Sequence, residues 1–81
     1  MDTIELSSEA KSLKLGIYEH YKGKNYQVLG VVVHSETLEE LVLYKALYGK
    51  RLLWVRPLKM FLEKVEHEGK VRERFKFTRK A

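Results

Sequence analysis

The sequence predicts a mainly β fold, a small and strongly bent antiparallel barrel. Three observations predict it. Short runs of β-branched and aromatic residues alternate with turns rich in Gly, Lys and Asn from Gly16 onward. Residues 38–48, rich in Leu, Glu, Lys and Ala, favour helix by propensity, but a strand there pairs as a hairpin with the run before it, and that topology is preferred. Finally, so many short strands in so short a chain are best kept from aggregating by closure, which removes exposed edges.

In chain order, residues 1–14 form a peripheral polar segment in which Ser7 or Ser8 caps a short helix running to Leu13. Gly16 opens a strand over residues 17–21, and Lys22-Gly23-Lys24-Asn25 turns the chain. Residues 26–34 carry the strongest strand signal, with Val28, Val31, Val32 and Val33, and form the central strand. Gly30 inside it marks a bulge or a close approach of another backbone. By strand parity Tyr26, Val28, Val32 and His34 share one face, as do Val42, Tyr44 and Ala46.

Residues 34–37 make the next turn, although Thr37 with Glu40 also matches a helical capping box. A strand over 40–47, ending before Gly49, forms a hairpin with its predecessor and is preferred on topology. A strand over 52–56 leads to Pro57, which cannot donate to a ladder, and a helical or 3₁₀ turn follows. Leu58, Met60 and Phe61 supply the plug for one end of the barrel. A closing hairpin pairs 62–66 with 71–77 around Glu68-Gly69, putting Phe75 and Phe77 on one face and Arg74 and Lys76 on the other. Residues 78–81 are a basic tail. This is one domain, 15–77 its barrel, and the SH3-like barrel matches it best.

A chain of this length buries only about 60% of its unfolded surface, so the core is small. The absence of cysteine excludes disulfides and thiolate metal sites. No apolar run approaches the roughly 20 residues of a membrane span, nor does the N-terminus resemble a leader, so a cytoplasmic location and no membrane partner are expected. The net charge of +5 is unevenly spread. Residues 1–40 hold four basic and seven acidic side chains, residues 41–81 twelve and four. The second half therefore suits phosphates, the first a basic peptide.

Several blocks in order resemble a bacterial family catalogued as domain of unknown function 1653: Gly16-Ile17-Tyr18-Glu19-His20-Tyr21-Lys22-Gly23, residues 26–30, His34-Ser35-Glu36-Thr37, residues 44–48, and Trp54-Val55-Arg56-Pro57-Leu58-Lys59-Met60-Phe61. The resemblance spans about residues 15–66. It implies an SH3-like barrel, and hence a strand at 40–47, but no established activity, substrate or catalytic residue. Leu15 stands where a proline is frequent. Val33 stands where a charged residue is common, and is expected to lean to solvent.

The candidate binding face comprises Tyr18, His20, Tyr21, His34, Glu36, Tyr48, Trp54 and Arg56, aromatics offering flat contact area beside charges. Tyr26, Val28, Val42, Tyr44 and Phe61 are assigned to packing. For RNA or single-stranded DNA, Lys22, Lys24, Arg51, Arg72 and Arg74 would meet phosphates. For an unidentified protein or peptide, Glu19, Glu36, Glu39 and Glu40 would select a basic segment. A hydrolase-like alternative uses His20 and His34 with Ser35 or Glu36, but turn formation explains the hydroxyls equally well. His20, His34 and His67 lack metal-type spacing. The expected module is non-catalytic, free of cofactor and metal, and monomeric or weakly self-associating.

Overall fold

The computed structural model describes residues 4–81. Its elements run α1 (Ser8–Ser12), β1 (Gly16–His20), β2 (Asn25–Val33), β3 (Glu40–Ala46), β4 (Leu53–Pro57), α2 (Leu58–Phe61), β5 (Lys64–His67), β6 (Lys70–Glu73) and β7 (Phe75–Arg79). The fold is mainly β and antiparallel, as expected. Five strands form one sheet in the order β4-β3-β2-β1-β7, and β5 and β6 form a separate ribbon.

Strand wins over helix at Glu40–Ala46 because alternation there matches a half-buried sheet: Val42, Tyr44 and Ala46 are buried and the residues between them are not. Thr37 is no helix cap. Its Oγ1 accepts the Glu39 N–H at 3.2 Å within the β2–β3 turn.

β2 pairs with β3 through a register shift between Val28 and Gly30, which makes Leu29 the extra residue of a bulge. The bulge switches parity, so Val28 lies opposite Tyr44 and Val31 opposite Val42, and Val31 packs against the core. Val32 is thereby moved off the face expected for it. A Cβ at Gly30 would meet nothing within 4 Å, so no backbone approaches there. The close approach lies at Gly16, where a Cβ would fall 2.5 Å from the Arg79 carbonyl oxygen at a φ of +143°.

No ladder joins β4 to β7, so side chains rather than hydrogen bonds close the curl. Tyr44 on β3 and Phe75 on β7 are three strands apart, about 14 Å in a flat sheet. Their ring centroids are nevertheless 5.5 Å apart. Phe61 fills the space so enclosed, 1% exposed, stacked on Phe75 at 4.3 Å and meeting Tyr18 edge-on at 5.4 Å. Leu58 is buried beside it, but Met60 is 44% exposed and is no part of the plug. A single helical turn presents Leu58 and Phe61, three residues apart, on one side and turns Met60 away.

Two further expectations change. The N-terminal segment is not peripheral, for Ala10 joins the core and Leu6 and Leu13 pack against it. Ser7 fastens it: its Oγ accepts the Ala10 N–H, while its own N–H and hydroxyl donate to Glu40 at 2.7 and 2.6 Å. Residues 1–3 of that segment lie outside the described residues.

The second arm of the closing hairpin is two strands, not one. Arg74 separates β6, which pairs with β5, from β7, which crosses to β1. The Arg74 N–H donates to the Glu63 carbonyl and its own carbonyl accepts the Tyr21 N–H, so the backbone changes sheets there with its polar groups satisfied. β7 then runs through Thr78 and Arg79, which had been expected in a tail.

Candidate functional site

β1 ends at His20, and the turn that follows brings Tyr21 beside it, ring centroids 4.5 Å apart. β2 begins opposite the end of β1, which sets Tyr26 6.3 Å from His20. Tyr48, in the loop after β3, lies 5.5 Å from Tyr26, and their hydroxyls share a hydrogen bond of 2.6 Å. On the other side His67 of β5 lies 5.2 Å from Tyr21. Five rings thus form a continuous path: His67, Tyr21, His20, Tyr26, Tyr48.

Cations lie against two of its rings, with Lys22 Nζ 5.7 Å from the Tyr21 centroid and Lys24 Nζ 5.1 Å from that of Tyr48. A cleft of about 460 Å³ opens beside Tyr21, lined by Glu19, His20, Arg72, Glu73 and Lys76 as well.

Burial and neighbouring groups shift the ionisation of two of these rings. Burial first, then Arg56, Arg74 and Lys22, push the His20 pKa below the usual imidazole value. Its Nδ1 accepts the Lys22 N–H at 3.2 Å, which leaves the ring proton on Nε2. Burial and the Tyr48 hydrogen bond push the Tyr26 phenol up to about 12. His20 and Tyr26 are therefore neutral at physiological pH, with positive charge held on the flanking Lys and Arg side chains.

Of the expected binding face, His20, Tyr21 and Tyr48 come together. Tyr18 does not join them. It is 5% exposed in the core, its hydroxyl donates to the Lys14 carbonyl at 2.6 Å, and burial raises its pKa. Arg56 lies behind the path, its guanidinium carbon 5.6 Å from the Phe75 centroid. Trp54 stands apart on β4, 49% exposed.

His34 and Glu36 lie in the turn beyond the far end of β2. His34 Nδ1 accepts the backbone N–H groups of Glu36 and Thr37, and the nine residues of β2 hold it on the order of 25 Å from the His20 end. The two imidazoles accordingly cannot act in one site, contrary to the hydrolase-like alternative.

Among the expected phosphate contacts, Lys22, Lys24 and Arg72 border the path. Arg74 is held by Glu63 at 2.9 Å with its side chain 19% exposed, and is not a free cation. Arg51 sits in the β3–β4 turn at a φ of +54°, its N–H donating to the Tyr48 carbonyl. Among the described residues no three His, Asp or Glu side chains converge to hold a metal ion, and no helix is long and apolar enough to cross a membrane.

Two members of the site were missed. Tyr26 had been assigned to packing, and it does pack, but its hydroxyl reaches out to Tyr48. His67 carries no local signal, because only the docking of the β5–β6 ribbon brings it to Tyr21.

The family model described as a protein of unknown function (DUF1653) matches residues 16–77, which include all five of these rings. The chain belongs to the DUF1653 family. Its fold is also that of a crystal structure of a DUF1653 protein from Bordetella bronchiseptica, which is 30% identical, with a TM-score of 0.82 over 89% of this chain and 95% of that one. No curated protein matches this DUF1653 chain.

Proposed function

We propose that this chain is a binding module for single-stranded nucleic acid, with the path from His67 to Tyr48 as its contact surface. The observation that carries the reading is the continuity of the five rings, with lysines lying against Tyr21 and Tyr48. Rings stack on bases of any sequence, and cations beside them follow the phosphates. Arg72 and Lys76 in the adjoining cleft extend the cationic side, against Glu19 and Glu73.

The test is fluorescence anisotropy with labelled oligouridylate and oligothymidylate. Micromolar or tighter binding at low salt, weakening steeply as salt rises, is expected. Tyr48→Ala should cost about 1–3 kcal/mol of affinity, and Lys22→Ala should flatten the salt slope by about one unit. Absence of any salt-sensitive binding ends the reading.

A second reading has its own observation. A groove of about 660 Å³ on another part of the surface has Ile4, Leu38, Leu58 and Leu62 among its apolar lining and Glu5, Glu9, Glu39 and Glu40 among its carboxylates. Leu38 is 55% exposed there in the left-handed region, at a φ of +63°, a conformation costly for a leucine. A basic peptide with apolar side chains suits such a groove. A pull-down partner lost with Glu39→Lys and retained with Tyr48→Ala would favour this second reading.

A further inference from the structure

Among the described residues β4 is the outer strand of the sheet, and its free edge carries an uncharged apolar run. Leu52, Leu53, Trp54 and Val55 are 54%, 60%, 49% and 54% exposed. Edge strands are ordinarily protected by charges, bulges or proline, and these four residues include none. The inward hydrogen bonds are identifiable. The Ala46 N–H donates to the Leu52 carbonyl at 3.0 Å, and antiparallel alternation then turns Trp54 and Arg56 towards β3 as well. The N–H and C=O groups of Leu53 and Val55 consequently point outwards. Pro57 falls in the same outward phase, where its missing N–H costs the ladder nothing and ends the run of donors.

We propose that the β4 edge is a homodimer interface, where a second copy of this chain adds its own β4 antiparallel about a twofold axis at Trp54. In that register Leu53 pairs with Val55 of the second copy and Val55 with its Leu53, so all four outward groups of each edge find partners. Trp54 meets Trp54 of the second copy, and Arg56 lies opposite the second copy's Leu52. No like charges face each other along the strand, so the edge is complementary to itself. The axis also brings two exposed indoles together, an arrangement that a polar peptide strand would not match. This surface is separate from the ring path, and its test is independent of that reading.

Sedimentation equilibrium of the intact chain from micromolar to millimolar concentration is expected to give a monomer–dimer equilibrium. Each copy carries +5, so added salt should strengthen the dimer, opposite to its effect on nucleic-acid binding. Val55→Pro removes an outward donor while leaving the inward bonds of β4, and should weaken dimerisation at least about tenfold. Leu53→Lys, a change of an exposed side chain, should do the same and decides the matter alone if circular dichroism finds the proline variant unfolded. Because the chain has no cysteine, Trp54→Cys gives a direct reading of register. Its Cα atoms would be about 4.5 Å apart across the axis, within disulfide reach, so oxidation should give a covalent dimer. A monomer at every concentration overturns the proposal, as does a dimer indifferent to both Val55→Pro and Leu53→Lys.

Discussion

Arg56 on β4 and Phe75 on β7 stand at the two ends of the strand order, yet the guanidinium carbon lies 5.6 Å from the centre of the ring. A flat sheet would hold those strands about 19 Å apart. Arg56 also donates from Nε to the Tyr44 hydroxyl at 3.3 Å, so one side chain links β4, β3 and β7. The curl of the sheet is held at this point by a cation on an aromatic face, and the same Phe75 ring supports His20 and Tyr26 of the path above it.

Arg56→Met keeps the apolar stem but removes the cation and the donor. It should cost about 1–2 kcal/mol in urea denaturation, and Arg56→Lys should recover only part of that because an ammonium lacks the planar fork. Phe61→Ala, which empties the space enclosed by the curl, should cost about 3–5 kcal/mol. If Arg56→Met proves neutral, the contact with Phe75 closes nothing.

The seat of α1 should depend on pH. The Ser7 hydroxyl first, then the Ser7 N–H, hold the Glu40 carboxyl below its ordinary value of 4.5. A depressed carboxylate contributes stability that is present above 4.5 and lost as pH falls through its lower folded value. Protection of the Ala10 and Lys11 amides, taken as the exchange rate relative to the intrinsic rate at each pH, should therefore fall on acidification below about pH 4.5. Glu40→Gln should show the lower protection already at neutral pH, and unchanged protection in that variant would remove Glu40 from the role.

His20 gives a second dependence at higher pH. Its folded pKa lies below 6.5, so on acidification the unfolded chain takes up a proton at His20 before the folded chain does. Stability should fall as pH drops below 6.5, and level off beneath the folded value. His20→Asn, which keeps an acceptor for the Lys22 N–H, should lose that component of the urea-midpoint profile. A His20 resonance titrating at or above 6.5 by NMR would contradict it.

Much of the fold was legible locally. The Gly16 and Gly23 boundaries, the valines of β2 and the Gly69 turn announce strands through residue type alone, and Pro57 marks the end of a strand wherever the chain goes next. At Glu40–Ala46 local propensity misleads. Leu, Glu and Lys favour helix, but alternation against β2 buries Val42, Tyr44 and Ala46, and burial outweighs a few tenths of a kcal/mol of propensity per residue. The bulge at Leu29 was foreseen at Gly30, but not its effect on parity, which depends on the partner strand.

The candidate site was half legible. His20, Tyr21, Lys22 and Lys24 are close in sequence, so one turn brings them together. Tyr18 has the same residue type as Tyr21 and lies only three positions away, but faces the core, because β1 presents alternate residues to Val28 and Phe61 and the turn does not.

The sequence by itself determined the mainly β class, the hairpins, and a basic and aromatic stretch after β1, since each rests on interactions between near neighbours. Only the tertiary structure decided how the sheet is closed, where the second arm divides at Arg74, that His67 completes the ring path, and that Leu52 to Val55 lie on an open edge. Each of those depends on how segments far apart in the chain are placed, and that placement exists only once the curl around Phe61 has formed.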